Sequence, residues 1–171
     1  MIYITSATEE DLPVILEIEQ EAISPPWTHG ALLSEIYRED SFFAVARGVA
    51  RDVVIGAGRA GVYVTNSIAQ ENHPPDTLGF VIVRRAGDDG ELLQIAVNKT
   101  LRRQGIADIL MDAALSYGSE RGLSSVYLEA RRSNISAICL YKKHGFKSVR
   151  YRKDYYHDPI EDAVVMVRSE H

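Results

Sequence analysis

A change of apolar period at Gly105 organises this 171-residue chain. Before it, Leu93-Gln94-Ile95-Ala96-Val97 reads as a strand that leads through Asn98 to Leu101 into Arg102-Arg103-Gln104-Gly105-Ile106-Ala107. After it, Ile106, Ile109, Leu110, Ala113, Ala114 and Tyr117 share one helical face, and Arg121-Gly122 supplies a basic last turn and a stop. A strand, a glycine-bearing turn and a helix N-terminus in this order fit an α/β chain. The start of such a helix has unpaired N–H groups and the positive end of the helix dipole, so it suits a pyrophosphate where the backbone comes close. Gly105 permits that approach, and Arg102 and Arg103 add charge for phosphate oxygens. A solvated strand-to-helix turn explains the same residues equally well, because the spaced glycines of a dinucleotide fingerprint or a P-loop are missing.

Elsewhere the pattern predicts short strands and helices. Ile2 and Ile4 alternate with polar residues as a strand does, and Thr8 with Glu9, Glu10 and Asp11 predicts a capped, acid-rich helix start. Leu12, Ile15, Leu16 and Ile18 to Glu19 continue that helix until Ser24-Pro25-Pro26-Trp27-Thr28 breaks it. Leu32, Leu33, Ile36 and Tyr37 recur at helical spacing, and Phe42 to Ala46 reads as a strand. Val49 to Asp76 mixes strand-like Val53-Val54-Ile55 and Val62-Tyr63-Val64 with Gly and Pro breaks. It is expected to be an insertion or extended hairpin within a single domain covering 1–171. Leu78 to Arg85 and Glu91 to Val97 predict two antiparallel strands joined across Gly87-Asp88-Asp89-Gly90. Ser125 to Ala130 predicts another strand, Asn134 to His144 a helix that Gly145 ends, and Lys147 to Tyr155 and Ala163 to Arg168 two closing strands.

Charge and cysteine content narrow the functional classes. Nineteen Lys and Arg against 24 Asp and Glu give a net charge of -5, so no global positive field exists to hold a phosphate backbone, and no direct nucleic-acid partner is expected. The single Cys139 rules out an intrachain disulfide and a cysteine-rich zinc site. His29, His73, His144, His157 and His171 form no pair at helical metal-ligand spacing, so no metal is expected. The N-terminus lacks a basic flank and an apolar stretch, and no apolar run approaches the roughly 18 residues that span a bilayer. No membrane partner and a cytoplasmic location are the expectations.

Two further segments carry groups suited to proton transfer. In Val126-Tyr127-Leu128-Glu129-Ala130, strand alternation sets Tyr127 and Glu129 on one face, with Glu129 near the C-terminal end of the strand where α/β sites usually lie. A carboxylate there can accept a proton; it also reads as an ordinary Glu paired with Arg131 or Arg132. Asn134, Ala137, Ile138 and Tyr141 fall at i, i+3, i+4 and i+7 on one helical face. Asn134 reads equally as an N-cap and Tyr141 as a half-buried core aromatic.

Taken together, these segments resemble a known family. Arg102-Arg103-Gln104-Gly105-Ile106-Ala107 resembles the Q/R-x-x-G-x-G/A acetyl-CoA signature of the GCN5-related N-acetyltransferases (GNAT), and Asn134 through Tyr141 with Gly145-Phe146 resembles their N-x-x-A-x-x-L-Y-x-x-x-G-F motif. Within that superfamily, Pro26-Trp27, Tyr127 to Asn134, and Asp154-Tyr155-Tyr156 through Glu161-Asp162-Ala163 look like the bacterial ribosomal-protein-alanine N-acetyltransferases. The resemblance covers nearly the whole chain except the central insertion. It implies an α/β (α+β) GNAT fold, a mixed and mostly antiparallel central sheet flanked by helices and splayed between its fourth and fifth strands.

The resemblance also implies a chemistry, with acetyl-CoA as co-substrate. Ile95, Ala96 and Val97 would offer backbone groups to the pantetheine arm and thioester oxygen, Arg102, Arg103, Gln104, Gly105, Ile106, Ala107 and Asp108 would wrap the pyrophosphate, and Asn134 and Tyr141 would complete the cofactor side. Glu129 is the implied general base, directly or through water, and Tyr141 the implied acid for the departing thiolate. Trp27, Tyr155 and Tyr156 would border the acceptor channel. The expected partner is the N-terminal peptide of a small-subunit ribosomal protein that begins with alanine. A small-molecule amine as acceptor, and a non-catalytic acyl-CoA-binding module, are the alternatives. No acyl-enzyme is needed, so Cys139, off the proposed face, reads as core packing or mere proximity. Asp108 departs from the pattern as an acid at the end of the phosphate turn, and the 49–76 insertion is larger than the connection expected there. Lys142, Lys143, Lys147, Arg150, Arg152 and Lys153 read as a solvated cationic face, or as a guide for CoA phosphates or a ribosomal partner.

Overall fold

The computed structural model describes residues 1–48 and 76–169. The expected insertion over 49–76 lies outside the described residues except for Asp76, which opens a strand. Among the described residues the strands are β1 (Tyr3–Ser6), β2 (Ser41–Gly48), β3 (Asp76–Ala86), β4 (Asp89–Val97), β5 (Ser125–Arg131), β6 (Lys147–His157) and β7 (Ile160–Ser169). The helices are α1 (Leu12–Ala22), α2 (His29–Ile36), α3 (Ile106–Glu120) and α4 (Ile135–Lys143). The strands form one sheet in the order β1-β2-β3-β4-β5-β7-β6. Adjacent strands are antiparallel, with β4 and β5 the parallel exception. This is the mixed, mostly antiparallel arrangement that the resemblance implies.

Side-chain alternation in β3 shows why the sheet lies at the centre. Val81 and Val83 join the buried cluster under α3 and Tyr141, whereas Phe80 and Ile82 join the cluster under α1 and α2. With both faces covered, the strand reads as an almost unbroken apolar run from Leu78 to Val83, with 0% exposure at each apolar position. Helix α3 packs on β2, β3 and β4, while α1 packs on β3 and β4 from the other side.

Several boundaries differ from those the sequence predicts. Thr8 and Asp11 form the expected capping box, with the Thr8 N–H donating to Asp11 Oδ2 at 2.8 Å, but they cap a 3-10 turn, Glu9–Asp11, from which α1 continues. The expected Gly87 to Gly90 turn is shorter, because Asp89 and Gly90 already belong to β4. Gly90 packs closely there: a Cβ on it would lie 2.8 Å from Leu123 Cδ1, the end of a side chain that would have to shift. The closing strands run longer than expected, to His157 and from Ile160, through register shifts in β6 that leave periodicity hard to read.

Candidate active site

The β4–β5 ladder runs only from Asp89 opposite Ser125 to Leu92 opposite Leu128. Beyond it the two strands part, with Leu93–Val97 on one side of the opening and Glu129–Arg131 on the other. Ile95, Ala96 and Val97 keep β3 partners on their far edge, at Val81, Phe80 and Gly79. Their near edge faces the opening, so backbone groups are presented where a sheet normally consumes them. A register shift in the β3–β4 pairing between Ile82 and Val83 puts Leu93 opposite no partner, which bends β4 at the mouth of the opening.

At the end of β4 the chain makes a tight turn into α3. Asn98 caps a 3-10 turn (Lys99–Leu101), and Arg102 Nε donates to Val97 O at 3.2 Å, folding the turn back on the strand. Arg103 and Gly105 both take left-handed backbone conformations, with φ of 65° and 81°. Such conformations turn successive N–H groups inward as an anion-binding concavity. The N-terminus of α3 stands at that point, with Arg102, Arg103 and Gly105 exposed and Gln104 and Ala107 half-buried. Ile106 is buried and fixes the first turn of α3 to the core. The Asp108 carboxylate is engaged by Lys143 Nζ at 2.6 Å, with His144 Nε2 at 3.6 Å, so its charge is compensated from the end of α4. Lys143, read from the sequence as part of a solvated face, is the residue that does this.

Glu129 is the carboxylate beside the opening. The sequence suggests Arg131 or Arg132 as its ion-pair partner, but these pair with Glu161 and Asp162 instead. Its partner is Arg152 of β6, whose Nη1 lies 2.5 Å from Glu129 Oε1. The guanidinium reaches across β7, where Ala163 and Val165 are the intervening residues. Arg152 also sits 4.3 Å from the centroid of the Tyr155 ring. A hydrogen bond to Glu129 pushes the Tyr155 phenol above its ordinary value. Tyr155 packs edge-on against Tyr156 at 5.1 Å, and burial, with the nearby Glu129 charge, pushes Tyr156 up to about 12. Thus Tyr155 and Tyr156 gather around Glu129.

Tyr141 occupies the other side of the sheet, in the buried cluster that includes Val97 and Ala130. It is 6% exposed and its ring lies 6.0 Å from that of Phe146. Burial, and secondarily Tyr156, raises its phenol well above the usual value, so the hydroxyl holds its proton. Asn134 is the N-cap of α4, its Oδ1 accepting the Ala137 N–H at 3.1 Å. The capping role suggested by its sequence position is therefore filled. Cys139 is exposed on α4.

Trp27 lines a depression of about 480 Å³ with Pro26, Ala31, Glu35, Arg38 and Arg84. Neither Glu129 nor the two tyrosines borders that depression. The Trp27 N–H instead points to Glu19, donating to Oε2 at 3.4 Å. Glu19 is completely buried, and its Oε1 has no hydrogen-bond partner. The sequence pattern places Glu19 in the first helix and points to no role for it. The available signal was its position, four residues after Ile15 and seven after Leu12 on an otherwise apolar face. Among the described residues, no group of three or more His, Cys, Asp and Glu side chains is arranged to hold a metal ion. No described helix is long and apolar enough to cross a membrane.

Comparison with known proteins gives these features a context. Residues 12–146 match the Acetyltransferase (GNAT) family. The chain is 28% identical over 166 residues to the [ribosomal protein bS18]-alanine N-acetyltransferase of Haemophilus ducreyi, covering 95% of this chain and 97% of that protein. The crystal structure of the ribosomal-protein-S18-alanine N-acetyltransferase from Escherichia coli is similar with a TM-score of 0.75 and 27% identity, covering 99% of this chain and 94% of that one. Arabidopsis thaliana NAA60 in complex with acetyl-CoA shares the fold at a TM-score of 0.78 and 19% identity, with 99% of each chain covered. The family match spans the parted strands, the basic turn and the tyrosine-bearing helix together, and on that extent this chain belongs to the acetyltransferase (GNAT) family.

Proposed function

We propose that this protein transfers the acetyl group of acetyl-CoA to the N-terminal α-amine of a protein, with the N-terminal alanine of a small-subunit ribosomal protein as acceptor. The observation that carries the reading is the parting of β4 and β5 after Leu92 and Leu128, which leaves a carboxylate on one lip and unconsumed strand backbone on the other. The ribosomal acceptor, and with it a cytoplasmic place of action, is supported by the similarity to the H. ducreyi and E. coli enzymes over almost the whole chain.

The residues fit acetyl-CoA. The left-handed turn at Arg103 and Gly105 brings backbone N–H groups and the α3 dipole to a pyrophosphate, and Arg102 and Arg103 supply charge. Backbone groups of Ile95 to Val97 receive the pantetheine arm and polarise the thioester oxygen, which gains charge as the amine attacks. The acceptor ammonium first releases one proton to solvent; the neutral amine nitrogen then bonds to the thioester carbon, its second proton passes to Glu129 directly or through water, and the carbon–sulfur bond breaks. Tyr141, protonated because it is buried, gives its proton to the departing thiolate. Glu129 starts this sequence paired with Arg152, so the acceptor amine, itself a cation before it is deprotonated, competes with a guanidinium for the carboxylate.

Mass spectrometry tests the reading: purified protein is incubated with acetyl-CoA, small amines, and free-amine peptides that begin with Ala, Met, Ser or Gly. One acetyl group is expected on the α-amine of the Ala-leading ribosomal peptide. Glu129→Gln and Tyr141→Phe are each expected to slow turnover at least about 100-fold while acetyl-CoA affinity stays nearly unchanged. Acetylation confined to small amines would move the acceptor assignment to that class; full activity in both variants would remove Glu129 and Tyr141 from the mechanism.

A further inference from the structure

Two segments distant in sequence meet at Arg131, two residues along β5 from Glu129: the turn after α1 that begins at Ser24, and the β6–β7 hairpin from Tyr155 to Glu161. Arg131, the last residue of β5, joins them. Its Nη2 donates to Ser24 O at 3.0 Å and to Asp158 O at 2.9 Å. Its Nη1 donates to Pro159 O at 3.1 Å and to Glu161 Oε2 at 3.2 Å. The guanidinium carbon lies 4.2 Å from the Tyr156 ring centroid. Glu161 is held in turn, its Oε1 accepting the Ser133 N–H at 2.6 Å, and Ser24 Oγ reaches Asp158 O at 3.4 Å.

This use of an arginine is specific. Three of the four acceptors are main-chain carbonyls in two separate segments, and a planar fork with donors on two nitrogens can address all four at once. A lysine ammonium is a compact point charge and cannot span them. Each segment is already anchored at its base, one by α1 against β3 and β4, the other by the long β6–β7 ladder. What Arg131 adds is the distance between their tips.

We propose that Arg131 is a positioning residue that sets the width of the acceptor entrance, and thereby which N-terminal residue is admitted to Glu129. The proposal rests on the reading of this site as a peptide acetyltransferase. Arg131 reaches the chemistry through the hairpin wall: Tyr156, against which the guanidinium stacks, adjoins Tyr155, whose phenol Glu129 perturbs, and the bonds to Ser24 tie that wall to the turn after α1.

Steady-state kinetics of Arg131→Lys, Arg131→Gln and Glu161→Gln, with acetyl-CoA and the Ala-leading peptide, test it. Both Arg131 variants are expected to raise the peptide KM about tenfold and leave the acetyl-CoA KM within about twofold. Glu161→Gln, which weakens one of the four struts, is expected to give a smaller rise in the same direction. Preference among peptides beginning Ala, Ser, Gly and Met should narrow in the Arg131 variants. An unchanged peptide KM, or a parallel rise in both KM values with a loss of thermal stability, would overturn the proposal by making Arg131 merely structural. Hydrogen exchange of the same proteins separates this from a wrong acceptor. If the wild-type enzyme acetylates no peptide, the acceptor reading fails. Faster exchange in both 23–28 and 155–161 of Arg131→Lys still supports the bracket, and faster exchange in one or neither overturns it.

Discussion

Glu19 shows how much a single buried group can shift the behaviour of the protein. Burial pushes its carboxyl from 4.5 up to about 7, against the opposing effect of hydrogen bonds from the Trp27 N–H and Gln94. The unfolded chain releases this proton near 4.5, so between 4.5 and about 7 the folded state holds more protons and stability falls as pH rises. Above that window the full penalty is present, on the order of 3 kcal/mol at most. Glu19→Gln keeps a carbonyl to accept the Trp27 N–H and removes the titration. The variant is expected to melt higher than wild type at about pH 8, with the gap largely closed near pH 4.5. Thermal melts at the two pH values check this, and an equal gap at both would contradict it.

At the scale of the element, the turn into α3 has the clearest energetic signature. Gly105 sits at φ 81°, and a Cβ built there meets nothing within 4 Å. A Gly105→Ala substitution therefore introduces no clash, and its cost is left-handed backbone strain of about 1 to 2 kcal/mol. That strain is relieved by unwinding the turn proposed to hold the pyrophosphate. A rise in acetyl-CoA KM, with the peptide KM unchanged, is the expected result in steady-state assays. The glycine, the arginine pair and the change of period made this element readable in the sequence, because its cause is local backbone geometry. The end of the preceding hairpin was less readable. Gly90 has the composition of a turn but belongs to β4, because it pairs with Arg85 of β3 and with Val126 of β5, a partner 36 residues further along the chain.

At the scale of the whole molecule, the parting of β4 and β5 is the central fact. The two strands pair for four residues and then diverge, so the middle of the sheet contains strand edges with no neighbour. On the proposed function, acetyl-CoA would complete what the sheet leaves open. Binding of acetyl-CoA is expected to slow amide exchange in Leu93–Val97 and in 103–108 while leaving β1 and β2 unaffected. Hydrogen exchange with and without acetyl-CoA measures this, and protection spread evenly over the sheet would contradict a site at the opening. The sequence pointed to these residues through motif resemblance. The same resemblance implied the splay between the fourth and fifth strands, but periodicity carries no sign of it, since apolar alternation looks the same in a paired strand and in one whose neighbour has turned away.

Local chemistry was determined by the sequence alone: the strand–turn–helix at Gly105, the cap at Asn134, the break at Ser24 to Thr28, and the presence of Glu129 and Tyr141 on suitable elements. Each depends on residues within a few positions of one another, where backbone preference and side-chain reach act. Tertiary structure decided what those groups face. Glu129 meets Arg152 because β7 lies between β5 and β6 with small residues at the crossing, and Arg131 meets Ser24 across 107 positions because the sheet order brings their ends together. Glu19 loses its water because α1 lies on β3 and β4. Charge pairing and desolvation act through space, and strand order, which composition and periodicity do not specify, sets which residues share that space.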